Sequence, residues 1–89
     1  MTIDWLDIKD SINSISQYEC TSNSGDEYYF NDEFDYQGNT IYAWGKYTDN
    51  MCDFELDGIS CDDHAINSMF ESIGLTEVAR QIVNAKNNY

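Results

Sequence analysis

The sequence predicts an α+β domain in the order α-β-β-β-α-α. A three- to four-stranded antiparallel sheet would be covered on one face by an N-terminal helix and two C-terminal helices. Three observations carry this expectation. Apolar residues recur at helical spacing near both ends of the chain. Between them lie runs rich in tyrosine, phenylalanine and tryptophan, residue types that favour strands. The connections between those runs are short, which makes neighbouring strands antiparallel.

A first helix is expected over residues 3–17, where Trp5, Ile8, Ile12 and Ile15 form one stripe with Leu6 beside it. Thr2 or Asp4 can cap it, and Asp4 and Asp7 suit the positive end of its dipole. Residues 17–25 turn polar, with Thr21, Ser22, Asn23, Ser24 and Gly25, and read as a loop. A first strand follows over 26–31 and extends through Phe34. Residues 33–36 join it past a bulge or kink at Asn31-Asp32.

Gln37-Gly38-Asn39 is a turn into a strand over 40–47, with Ile41 and Ala43 on one face and Tyr42 and Trp44 on the other. After a turn at Thr48-Asp49-Asn50, a third strand over 51–56 directs Cys52, Phe54 and Leu56 one way and Asp53, Glu55 and Asp57 the other. Gly58-Ile59-Ser60-Cys61 connects to a helix over 63–73, capped by Asp62, with Ile66, Met69, Phe70 and Ile73 on its stripe. Gly74 is its stop. Thr76 caps a last helix carrying Val78, Ala79, Ile82 and Val83, which ends before Asn87-Asn88-Tyr89. Helices on one face leave the other free for outward-pointing Asp, Glu and Tyr side chains.

Eighty-nine residues form a single acidic domain, 1–89. A formal charge of −13 would suit a disordered chain, but 15% aromatic content argues for a core. The charge is also localised. Residues 19–63 hold twelve acids, Glu19, Asp26, Glu27, Asp32, Glu33, Asp35, Asp49, Asp53, Glu55, Asp57, Asp62 and Asp63, against Lys46 alone. Residues 1–18 carry −2 and residues 64–89 carry none. A halophilic surface would spread its acid over every element, so the concentration points to a binding surface. It excludes direct nucleic-acid binding, because phosphates would be repelled. Three cysteines cannot close a disulfide framework. No secretory leader pattern or membrane-length apolar run is visible, and a reduced, cytoplasmic domain of a host cell, monomeric or homodimeric, is expected.

Candidate chemistries fall away residue by residue. Asp53, Glu55, Asp57 and Gly58 imitate the opening of an EF-hand loop, but its eighth and twelfth positions are Ser60 and His64, where an aliphatic residue and a bidentate glutamate belong. Cys20, Cys52, Cys61 and His64 could form a zinc set, yet paired knuckle spacing is missing. There is no phosphate loop, no Ser-His-Asp set and no activated cysteine context, so neither a catalytic residue nor a cofactor is expected. Residues 70–82 look like the turn and second helix of a helix-turn-helix, but a reader helix should carry bases and this one has only Arg80 and, beyond residue 82, Lys86.

What remains is the acidic sheet. Carboxylates on alternate strand residues stand about 6.6–7 Å apart. That approaches the through-space phosphate spacing of one nucleic-acid strand, on the order of 7 Å. Asp53, Glu55 and Asp57 form one expected row, Asp26, Asp32, Glu33 and Asp35 can supply others, and Glu27, Asp49, Asp62 and Asp63 are expected at the same partner surface. Tyr29, Tyr36, Tyr42 and Trp44 could stack on arginine. In general character (small, acidic, lacking catalytic residues) the chain resembles phage-encoded inhibitors of nucleic-acid-handling proteins, among them anti-CRISPR and anti-restriction proteins and inhibitors of uracil-DNA glycosylase. That resemblance is one of class and covers no alignable stretch. It implies a non-enzymatic DNA mimic whose partner is a basic nuclease, CRISPR effector, restriction enzyme or glycosylase. The alternatives are an immunity protein that neutralises a nuclease toxin, and a small metal-binding or adaptor module.

Overall fold

Helix α1, Trp5–Ile15, begins where Asp4 turns its carboxylate onto the Asp7 N–H at 3.2 Å, an N-cap that satisfies one free donor. In this computed structural model, which describes residues 2–22, 25–51 and 53–85 (the side chains of 20–22 and 50 aside), α1 buries Ile8 and Ile12. Its stripe lies over the sheet. The sheet has four strands in the order β1-β2-β3-β4: Gln17–Ser22, Gly25–Tyr36, Asn39–Thr48 and Phe54–Cys61, every pairing antiparallel. Helices α2, His64–Ile73, and α3, Leu75–Asn84, complete the α+β order, α-β-β-β-β-α-α.

The extra strand is β1, where polar composition predicted a loop. It pairs with β2 alone, as an edge strand, and its Gln17, Tyr18 and Glu19 side chains are exposed, so no buried apolar alternation marks them in the sequence. Tyr18 lies edge-on to Tyr28, ring centroids 6.1 Å apart, and this contact continues into Tyr28 stacked on Tyr47 at 5.2 Å.

No bulge interrupts β2 at Asn31-Asp32. Its register with β3 runs unbroken from Glu27 opposite Thr48 to Tyr36 opposite Asn39. The hairpin between them closes in two residues, Gln37 and Gly38, both at positive φ, the backbone that matches strand twist. The disruption falls in β4 instead: Trp44 faces Gly58 and Gly45 faces Leu56, leaving Asp57 as the extra residue of a bulge.

β4 also starts later than expected. Thr48 N–H bonds the Asp53 carbonyl at 3.0 Å, and Asp53 N–H bonds Thr48 Oγ1 at 3.1 Å. These bonds close a turn that holds Met51 in one 3-10 turn, Asp49–Met51, so pairing opens at Phe54. The expected connection through Gly58-Ile59-Ser60-Cys61 is strand, with Ile59 opposite Ala43 and Cys61 opposite Ile41. Cys52, expected on the Phe54 face, lies outside the described residues.

Asp63, one residue after the expected cap, accepts the Ile66 N–H at 3.0 Å and starts α2. Gly74 at φ 88° ends α2 and opens α3 directly, so Thr76 sits inside the first turn rather than capping it. Residues 87–89, expected beyond α3, lie outside the described residues.

All three helices pack on one face of the sheet. Phe30, Phe34, Tyr36, Ile41, Ala43, Tyr47 and Leu56 meet Ile8, Ile12, Ile66, Phe70, Val78 and Ile82 there. Burying each large side chain contributes about 1.5–3 kcal/mol before chain entropy is subtracted. Lys9 ties α1 to the end of α3 by donating to the Val83 and Ala85 carbonyls at 3.3 and 3.2 Å, a cation at a helix C-terminus. No helix among the described residues is long and apolar enough to cross a membrane.

Candidate functional site

Strand alternation divides the acidic segment between two faces. On β2, residues 27, 29, 31, 33 and 35 point away from the helices. Their partners on β3 are Thr48, Lys46, Trp44, Tyr42 and Thr40. β4 adds Glu55, Gly58 and Ser60 to the same face, opposite Lys46, Trp44 and Tyr42. Asn31, Glu33, Asp35, Thr40, Lys46, Glu55 and Ser60 are all exposed, as are Tyr29 at 45% and Tyr42 at 40%. The helices leave this face open.

Its centre is aromatic. Tyr42 and Trp44 lie with centroids 5.4 Å apart and planes tilted by 57°, and the Tyr42 hydroxyl donates to Asn31 Oδ1. Trp44 is half-buried because its indole rests on Gly58, where any Cβ would collide with the indole Cζ2 and Cη2 atoms. A glycine inside a strand here serves close approach. Lys46 sits between Glu27 and Glu55, at 3.7 and 3.8 Å. Each such exposed pair contributes at most about 1 kcal/mol. Lys46 therefore offsets charge locally and leaves Glu33 and Asp35 as a surplus on this face.

The remaining predicted acids are elsewhere. Asp32 alternates towards the helix side yet is exposed, beside Ile15 and Gln17, and its Oδ1 accepts the Glu33 N–H at 2.8 Å. The half-buried Asp49 accepts the Asp26 N–H at 3.2 Å, bracing β2 against the turn before β4. Asp62 Oδ1 accepts the Thr40 N–H at 2.9 Å, and Asp63 caps α2. Asp53 stands in a bend ahead of β4 and Asp57 in the bulge, so the expected row Asp53-Glu55-Asp57 is not a regular strand repeat. The repeat that survives is Glu33–Asp35 on β2.

Tyr36 requires correction. It was expected at the partner surface, but it is 2% exposed, because it shares the helix-facing side of β2 with Phe30 and Phe34. Its hydroxyl accepts the Asp4 N–H at 2.8 Å. Conversely, Asn31, Lys46 and Gly58 belong to the face and were not singled out from sequence. The glycine inside a strand-like run was the available signal for Gly58.

The acidic field continues past the sheet edge. The Asp7 carboxyl is raised above the usual carboxylate range, first by burial and then by Asp4, Asp10 and Asp35. The Cys61 thiol is also pushed up, by burial above all and by Asp62 and Asp63 nearby, although a backbone hydrogen bond at Asp63 opposes this. That disfavours the thiolate a nucleophile or metal ligand requires. Among the described residues, no three His, Cys, Asp or Glu side chains converge as metal ligands would. Flat aromatic surface beside surplus carboxylates instead suits guanidinium and ammonium groups, by stacking and by charge. Comparison with protein-family models, with curated protein sequences and with solved structures finds no match.

Proposed function

We propose that this chain is a non-enzymatic inhibitor that binds a basic nucleic-acid-binding protein through the open face of its sheet, in place of nucleic acid. One observation carries the reading. The face that the helices leave open bears Glu27, Glu33, Asp35 and Glu55 around Tyr29, Tyr42 and Trp44, and its one base among the described residues, Lys46, is held between two of those acids. A channel built to grip phosphates would meet carboxylates and stacking rings there. Association would be electrostatically steered, fast, and weakened by salt. The general character of the chain extends the proposal to a phage or mobile-element product acting in a host cytoplasm against a CRISPR effector or restriction enzyme.

The test is capture by immobilised chain from a panel of purified proteins at low salt: a CRISPR effector, a restriction endonuclease, a uracil-DNA glycosylase and a nuclease-toxin domain. Binding of at least one member, reversed by its own DNA substrate and by Glu33→Lys/Asp35→Lys, is the expected result. Capture of the toxin domain alone would assign the immunity role. Capture that DNA cannot displace, or no capture from such a panel, overturns the DNA-mimic reading.

A further inference from the structure

β4 is an edge strand, and its free edge is built as a groove. Antiparallel ladders alternate hydrogen-bonded and non-hydrogen-bonded pairs. The Thr48–Asp53 bond fixes that alternation at one end of β4, and the Asp62 N–H to Thr40 carbonyl bond, 3.0 Å, fixes it at the other. It follows that Phe54, Leu56, Ile59 and Cys61 turn their backbone N–H and C=O groups away from β3. The Cys61 N–H is taken by Asn67 Oδ1 at 3.1 Å, which closes that end. Phe54, Leu56 and Ile59 remain, an open template about 17 Å long at the usual strand rise.

Two cavities flank this template. One, of about 510 Å³, lies between Phe54 and Leu56 on the strand and Leu75, Ala79 and Val83 on α3. The other, of about 420 Å³, is walled by Trp44, Ile59, Phe70 and Leu75, with Asp57 and Glu71 in its lining. Leu75, 41% exposed, borders both. α3 therefore carries a second apolar stripe, Leu75-Ala79-Val83, beside the Val78-Ile82 stripe that it buries.

We infer that this groove binds an extended, arginine-bearing segment of a partner protein, which pairs with β4 as a fifth strand. Charge selects that occupant. Asp53, Glu55, Asp57 and Glu71 line the two cavities, and Arg80, the base beside them, is engaged by Glu77 through two bonds of 2.8 and 2.9 Å. A second copy of this chain pairing edge to edge would bring these carboxylates against one another. A cationic strand meets them favourably. Alternate residues of the segment would fill the apolar cavities, and one arginine would reach the Trp44 edge between Asp57 and Glu71. The groove shares Trp44 and Glu55 with the rim of the open face but not Glu33 and Asp35, which lie across the sheet from β4 and touch neither cavity, so a double change at those two separates the proposals.

The test uses a fluorescent eight-residue peptide alternating arginine and valine, titrated against the full chain by polarisation and by amide NMR. Binding should perturb Phe54, Leu56, Ile59 and α3 amides. Methylating alternate backbone nitrogens of the peptide should abolish it, and a block peptide of four arginines then four valines should bind at least about tenfold more weakly. Ala79→Glu discriminates sharply, since it adds negative charge but fills the groove: docking predicts weakening of about tenfold, whereas mere charge attraction predicts tightening. Leu75→Glu, at an exposed position, repeats the test with little demand on folding. Glu33→Lys/Asp35→Lys should change affinity less than about threefold. No binding, tightening by both groove variants, or perturbations centred on Tyr29 and Tyr42 would overturn the inference.

Discussion

Acidic side chains in this chain divide by what their oxygens hold. Asp4 and Asp63 accept helix N–H groups, Asp62 accepts from β3, and Asp49 accepts from β2. Glu33, Asp35 and Asp57 accept no side-chain or backbone donor shown among the described residues, and they are exposed. The first group supports the fold and the second is free for a partner. Substitution separates them. Asp63→Ala removes the N-cap of α2 and leaves the Ile66 donor without its carboxylate, a loss of about 1 kcal/mol, and for a domain of this size about 4–8 °C in Tm. Partner binding should be unchanged once the variant is compared at a temperature where both proteins are folded. Glu33→Lys/Asp35→Lys should do the reverse, abolishing binding while leaving thermal unfolding within a few degrees. Calorimetry on both variants checks this, and an Asp63→Ala protein as stable as the parent would return Asp63 to the candidate surface.

At the scale of elements, the helices were legible because each buries one continuous stripe. Ile8 and Ile12, Ile66 and Phe70, and Val78 and Ile82 are the buried pairs that helical spacing picked out. The side-chain alternation of β3 was legible for the same reason, since Ile41 and Ala43 are buried while Tyr42 is exposed. β1 was not, because the exposed Gln17, Tyr18 and Glu19 of this edge strand carry no buried alternation to read. The true span of β4 was hidden by its bulge. A single unpaired residue at Asp57 shifts the two-residue period, so Glu55 and Gly58, three apart, share one face and Leu56 and Ile59 the other. The acidic row anticipated through Asp53, Glu55 and Asp57 assumed an unbroken period, and the bulge dissolves it. The bulge also places Gly58 under Trp44, and this can be tested. Gly58→Val would force the indole off β4, at an overpacking cost of about 1–3 kcal/mol. In a Trp5→Phe background, where Trp44 alone reports, its emission should shift to the red. Unchanged emission would mean that Trp44 does not depend on the space at Gly58.

Across the whole molecule, charge opposes the fold that displays it. A formal −13 is held within extents of 40 × 28 × 21 Å, so most carboxylates lie within a few Debye lengths of many others at low salt. Few specific attractions offset this. The salt bridges among the described residues are Lys46 with Glu27 and Glu55, and Arg80 with Glu77, all at the surface. Screening should therefore weaken repulsion more than attraction, and Tm should rise as sodium chloride goes from about 20 to 500 mM, where the Debye length falls from roughly 20 to 4 Å. Partner capture should move the opposite way, because the same ions screen steering. Acid provides an independent check through Asp7, whose carboxyl is raised by burial and by Asp4, Asp10 and Asp35. The folded state holds that proton more tightly than the unfolded chain, so Asp7 contributes a stability loss as pH climbs from its ordinary value, 3.8, through the raised one. Asp7→Asn should consequently be more stable than the parent at pH 7 and lose that advantage below pH 3.8, with the gap at neutral pH narrowing as salt is added. Burial alone would make the Asp7→Asn gain depend on pH, so salt is the discriminating variable: a Tm that falls with salt in the parent, or an Asp7→Asn gain that salt leaves unchanged, would show that self-repulsion does not limit this fold.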